Sequence, residues 1–170
     1  DLYICDADNL CIRKVNTSGI ITTIAGNTIS GFSGDGGPAT AAEMTYPAAI
    51  ALDKNGNLYI ADEYNNRVRK VNSAGIISTF AGAGSGPYSG DGSAATATDI
   101  GFPFGLATDI AGNVYISLTY DNRICKVNTS GIMSTVAGTG TAGFSGDGGP
   151  AASATIDGPW GINTDWPGNL

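Results

Sequence analysis

The chain repeats itself every 56 residues without insertion or deletion, and this repetition constrains its fold more than any other feature. Tyr3, Tyr59 and Tyr115 align, as do Lys14-Val15-Asn16, Lys70-Val71-Asn72 and Lys126-Val127-Asn128. The stretch GFSGDGGPATAA at 31–42 returns as PYSGDGSAATAT at 87–98 and as GFSGDGGPAASA at 143–154. Pro47, Pro103 and Pro159 align, and so do Asp53, Asp109 and Asp165. A single repeat domain over 1–170 thus divides into 1–56, 57–112 and 113–168, with 169–170 opening a fourth period.

Each period holds four strand-like runs. In the middle of the chain these are AAIALD (48–53), NLYIAD (57–62), RVRKV (67–71) and IISTFA (76–81). All are short, rich in β-branched or aromatic residues, and bounded by Gly, Asn, Asp or Ser. No stretch carries helical periodicity. Three short links and one long Gly-rich connection per period predict an all-β chain of four-stranded antiparallel meanders, the blades of a β-propeller.

Composition narrows the chemistry. The net charge is −7, from 15 acids against 8 bases, and there is no His. An acidic chain repels phosphate backbones, so nucleic acid is not an expected partner. Without His there is no His-ligated metal site, no Ser-His-Asp triad and little general-base chemistry near neutrality. No apolar run approaches the ~18 residues of a spanning helix, so membrane insertion is not expected.

The stretch PAAIALDKNGNLYIADEYNNRVRKVNSAGIISTFAG at 47–82 resembles an NHL repeat, and the loop GFSGDGGPATAA is similar to the linker of exported bacterial multi-repeat NHL proteins. The resemblance runs along the whole chain. It implies a propeller, and it implies little about activity, because propellers host many. It also implies secretion or a place at the cell surface. RNA-binding NHL proteins use a positive face, which the acidic balance here does not supply. An NHL-like lyase uses a His-ligated zinc, which this chain cannot build.

Repeats differ at a few positions, and a single ligand site is expected there. Ala48 faces Phe104 and Trp160 in the alignment, Asp62 faces Leu118, and Arg69 faces Cys125. Phe104 and Trp160, with Tyr46 and Phe102 beside them, follow or precede the Pro that opens each inner strand. They form either a stacking platform at the channel mouth or packing against the neighbouring blade. Trp166 is expected on the rim. Asp35, Asp91 and Asp147 sit between glycines in each SGDG loop. They are expected to cap their own turns, or to give one carboxylate to Ca²⁺ with Glu43 or Asp99 as a second acid. No other metal or cofactor is expected. Asp62 and Arg67 are placed to pair across a hairpin, and the basic residues of the third strands to line a solvated outer strand. Cys5 and Cys11 flank a short hairpin turn and form either a cross-strand disulfide or free buried thiols. Asn16 and Asn128 head Asn-x-Ser sequons in turns.

These features predict a non-enzymatic propeller scaffold or binding module for protein or glycan. The alternatives are a channel-mouth small-molecule sensor or metal-dependent hydrolase of lactonase type, and a structural fragment without a ligand. The chain lacks an initiator Met and a signal peptide and reads as part of something longer or processed. It opens on the second strand of a blade and closes on the first strand of another, at 160–165. Three blade-equivalents do not close a ring of about 4–8 blades. A six-bladed ring is therefore expected, closed either by a homodimer in which 160–165 of one chain completes the blade at 1–25 of the other, or by a longer parent chain of which these residues are half.

Overall fold

The computed structural model describes residues 1–165 and 169–170. Its strands are β1 Leu2–Asp6, β2 Cys11–Val15, β3 Ile21–Ala25, β4 Pro47–Leu52, β5 Leu58–Asp62, β6 Arg67–Val71, β7 Ile77–Ala81, β8 Pro103–Thr108, β9 Val114–Leu118, β10 Arg123–Val127 and β11 Met133–Ala137. They make three antiparallel sheets in simple meander order: β1-β2-β3, β4-β5-β6-β7 and β8-β9-β10-β11. The strand expected at 160–165 belongs to no sheet, because no strand among the described residues lies beside it to complete a ladder.

The turns explain why the meander forms where it does. Asp53 Oδ1 accepts the backbone N–H groups of Asn55 and Asn57, both at 2.9 Å, while Oδ2 accepts Asn57 Nδ2 and the Tyr59 hydroxyl. Asp109 repeats this with Asn113 and Tyr115. These are Asx turns that fold β4 onto β5 and β8 onto β9. The next turn ends in left-handed backbone at Asn66 (φ 51°) and Asn122 (φ 49°), which Asn tolerates well. In the first repeat Leu10 takes the same conformation at φ 55° and has no such tolerance. In each sheet the last two strands slip register at one position, at Ile12/Arg13, Val68/Arg69 and Ile124/Cys125.

The sheets stack face to face. One core layer joins Ile12 and Ala25 of the first sheet to Leu58, Ile60, Val71 and Ile77 of the second. The other joins Tyr59, Ala61, Val68 and Ala81 to Leu106, Val114, Ile116, Leu118, Val127 and Met133 of the third. Alternate residues of β5 therefore enter opposite layers, and the whole strand is buried rather than one face of it. The inner strands also touch. Thr108 Oγ1 donates to the Leu52 carbonyl at 2.7 Å, and Thr164 Oγ1 donates to the Thr108 carbonyl at 2.8 Å, one period on. Gly105 makes this approach possible: a Cβ there would lie 2.8 Å from Ser117 Oγ and against the Trp160 carbonyl.

Two expectations are corrected here. Cys5, Cys11 and Cys125 are all free. Cys5 stands opposite Ile12, and Cys11 opposite Asp6, so the two thiols point to opposite faces of the sheet and no cross-strand disulfide joins them. The third strands are not uniformly solvated: Arg69 is completely buried. Trp166 lies outside the described residues.

Candidate functional site

The residues immediately before Pro47 and Pro103 hold the site's anchors. Tyr46 (φ 58°) and Phe102 (φ 47°) are both in left-handed backbone, which bulky residues seldom adopt. Neighbouring groups hold them there. The Tyr46 carbonyl accepts the Glu63 N–H at 3.3 Å, and the Phe102 N–H donates to Asn66 Oδ1 at 3.0 Å. The turns after β5 and β9 carry Tyr64 and Tyr120, one period apart. The four rings form one run across two sheets. Tyr46 stacks on Tyr64 at 5.3 Å between centroids, Tyr64 meets Phe102 edge-on at 5.9 Å, and Phe102 meets Tyr120 edge-on at 4.8 Å. Tyr64, Phe102 and Tyr120 are exposed, Tyr120 to 71%. A cavity of about 260 Å³ opens beside them, lined by Asn66, Pro87, Phe102, Tyr120 and Asp121. The Asp121 carboxylate is tied down by the Tyr88 and Gly101 N–H groups.

Phe104 and Trp160 form a separate pair at 4.8 Å, with Trp160 61% exposed. Behind them Ser117 Oγ donates to the Trp160 carbonyl and accepts from Gly105 N–H, both at 2.6 Å. The pair thus packs one repeat against the next and does not join the four-ring run.

The loop acids reach further than expected. Asp35 does not cap its own turn. Its Oδ2 accepts Thr79 N–H at 3.0 Å and Thr79 Oγ1 at 2.7 Å, and its Oδ1 faces Arg69 Nη2 at 2.6 Å. Burial works to raise this carboxyl, but the bonds from Thr79 and Arg69 outweigh it and hold it below the ordinary range. Asp91 takes the Thr135 N–H and hydroxyl and the Tyr88 hydroxyl, and is held low in the same way against burial. Protein donors therefore occupy two of the three loop carboxylates considered for Ca²⁺, and at Asp35 a cation already stands in place. Among the described residues no group of three or more His, Cys, Asp or Glu is placed to hold a metal. Asp147 has no hydrogen-bond partner among the described residues.

Asp62 pairs with Arg69 at 3.3 Å rather than with Arg67, and also accepts from Thr45 N–H and Asn65 Nδ2. Arg67 turns away to the Asn65 and Ala83 carbonyls, over the Phe32 ring at 3.8 Å. Burial pushes the Cys125 thiol up to about 12 and Cys5 to about 11, so neither is a ready nucleophile.

The Teneurin NHL domain family matches residues 29–88. The repeated four-stranded meander and this match agree with the motif at 47–82. Over residues 29–88 the chain is thus similar to NHL repeats. Teneurin-3 of Danio rerio is 50% identical to it over 50 residues, which is 29% of this chain and 2% of that protein. A protein of unknown function from Bacteroides thetaiotaomicron VPI-5482 superposes with a TM-score of 0.72 at 25% identity, covering 96% of this chain and 39% of that one. An auxiliary nutrient binding protein from the same organism gives 0.66 at 15% identity, covering 96% and 40%, and shares the fold. The chain thus spans about two-fifths of these structures and a small fraction of the curated relatives.

Of the aromatic residues singled out in the repeats, Tyr46 and Phe102 come together, and Phe104 and Trp160 form their own pair. Tyr64 and Tyr120 are not among the residues singled out. A signal existed: an aromatic residue recurs 18 positions after Tyr46 and after Phe102, in the same two repeats.

Proposed function

We propose that this chain is a binding module of a six-bladed β-propeller, which takes a protein partner on the Tyr46–Tyr64–Phe102–Tyr120 run. The observation that carries this reading is the run itself. It crosses from the second sheet to the third, is largely exposed, and is anchored at two residues in costly backbone. Isolated exposed apolar residues are ordinary, but a contiguous strip of them marks a contact surface. Tyr and Phe are enriched in protein interfaces, where rigid rings add area at small entropic cost. The edge-on contacts of Phe102 with Tyr64 and Tyr120 leave a ridged surface better matched to side chains than to a flat sugar ring.

No chemistry is proposed for the module. Asp35, Asp62 and Asp91 are engaged by structural donors, and the buried thiols stay protonated, which supports a non-enzymatic reading. The six-bladed ring is proposed from three sheets stacking with one 56-residue step per chain, with a second copy of this chain supplying the other three. The first sheet has no fourth strand among the described residues, so segment 160–165 of the partner copy is proposed to fill that place. We place the module outside the cell or at its surface, as the loop resemblance implies.

A displayed peptide library panned on the chain tests the reading. Peptides that bind the wild type and lose Tyr64→Ala/Tyr120→Ala are expected. Equal binding to that variant, or binding of arrayed glycans in place of peptides, would overturn it.

A further inference from the structure

The cavity beside the aromatic run contains a carboxylate that the chain's own cations do not reach. Asp121 lines it together with Asn66, Pro87, Phe102 and Tyr120. Both groups that hold this carboxylate, the Tyr88 N–H at 3.1 Å and the Gly101 N–H at 3.2 Å, donate to Oδ2. Oδ1 accepts from no group among the described residues, and no ion pair among them includes Asp121. Arg67 donates to the Asn65 and Ala83 carbonyls and Arg123 to the Gly138 and Thr139 carbonyls, so both guanidiniums are engaged elsewhere.

The repeats differ at this position. Asn9, Asn65 and Asp121 align. Asn65 is a donor: its Nδ2 reaches the Gly31 carbonyl at 2.7 Å and Asp62 Oδ1 at 2.8 Å. In the third sheet Leu118 replaces Asp62, and an acceptor takes the donor's place. Gly101 gives it room, since a Cβ there would lie 3.2 Å from Oδ2. The connection after β7 brings Pro87 and Tyr88 alongside, and backbone bonds fix it on β11. Gly92 N–H donates to the Met133 carbonyl at 2.9 Å, Met133 N–H to the Ser93 carbonyl at 3.1 Å, and Ala95 N–H to the Gly131 carbonyl at 2.8 Å. The preceding connection makes the same bonds to β7, through Gly36, Ile77 and Ala39 at 2.8, 3.0 and 2.8 Å. The cavity wall is thus set before any partner arrives, which lowers the cost of binding.

We propose that this cavity takes one arginine side chain of the protein partner, its guanidinium on Asp121 Oδ1 and against the Phe102 and Tyr120 rings. At about 260 Å³ the cavity is smaller than the roughly 300–1,000 Å³ of sites for drug-sized ligands, and suits a single long side chain. Aromatic faces attract cations, and a planar guanidinium stacks on a ring while its edge donates to a carboxylate. The chain already uses half of this arrangement internally, with Arg67 lying 3.8 Å over the Phe32 ring and donating to two carbonyls. A net charge of −7 favours a cationic partner at longer range. The inference rests on the reading that the aromatic run meets a protein, and it names the group that the partner inserts.

Solution NMR of the isotopically labelled chain, titrated with Nα-acetyl-arginine amide, tests it. Saturable shifts of the Tyr88 and Gly101 amide signals are expected. Asp121→Asn keeps an acceptor for both N–H groups and places there the residue that the second sheet carries, so it is expected to fold as the wild type does. It is expected to bind the probe about tenfold more weakly or worse. The citrulline analogue, an uncharged probe of the same shape, is expected to give no saturable shift. An unsaturable response to the arginine probe, equal binding by Asp121→Asn, or an equal response to citrulline would overturn the arginine site. An equal response to the lysine analogue would overturn the choice of arginine. None of these results touches the aromatic run, whose own failure is read from peptides that bind Tyr64→Ala/Tyr120→Ala as well as the wild type.

Discussion

The second and third sheets receive their loops through the same backbone bonds but with opposite side-chain chemistry. On the second sheet the loop carboxylate of Asp35 meets a wholly buried Arg69, itself balanced by a wholly buried Asp62. On the third sheet Cys125 stands in place of Arg69 and Leu118 in place of Asp62, and the Tyr88 hydroxyl joins Thr135 on Asp91. The constant part is the strand-edge pairing with its Asp–Thr bond. The ion pair is a local variant that replaces an apolar filling of the same place. Each solution is complete in itself, and half of either one is poor.

That comparison is sharpest where one partner is removed. Asp62→Ala leaves Arg69 buried with only Asp35 opposite, and is expected to cost about 3–5 kcal/mol in urea unfolding. Importing the third sheet's solution, Asp62→Leu with Arg69→Cys, is expected to stay within about 2 kcal/mol of the wild type, since an apolar replacement of a buried pair is often close to neutral. A double variant as unstable as Asp62→Ala would break the view that the two fillings are interchangeable.

Acid should weaken the loop contacts together with the Asx turns, since Asp53 and Asp109 are held low as well. Asp35 and Asp91 are both held below their ordinary value of 3.8 in the folded chain. Their contribution is therefore complete above that value and is lost as pH falls through the lower folded values. Melting temperature is expected to drop on acidification below 3.8, and Asp35→Asn is expected to flatten that limb; an unchanged limb would mean that Asp35 carries no such linkage. The smallest effect belongs to Tyr88→Phe. It removes one hydroxyl from Asp91 while Thr135 remains, and about 1 kcal/mol of stability is expected to go with it.

The fold was legible because the information is local. A 56-residue period, Asx turns at Asp53 and Asp109, and Asn at the left-handed positions each declare themselves within a few residues. The loop acids were not, because Asp35 finds its partner 44 residues downstream on another sheet, while its glycine neighbours suggest only a local turn. Asp62 was given to the wrong Arg for a related reason. Arg67 lies directly opposite it, but the Phe32 ring and the Ala83 carbonyl draw Arg67 away and leave the carboxylate to Arg69. The aromatic run was half legible. Tyr46 and Phe102 stand out beside their prolines, but the meeting of Tyr64 with Phe102 exists only once two repeats stack.

The central claim is that the four-ring run binds a partner. Calorimetric titration of the tightest displayed peptide into the wild type and into Tyr64→Ala/Tyr120→Ala tests it most directly. Loss of two interface aromatics predicts affinity lower by about tenfold or more, with melting temperature little changed because both rings are exposed. Equal affinity for the two proteins would contradict it.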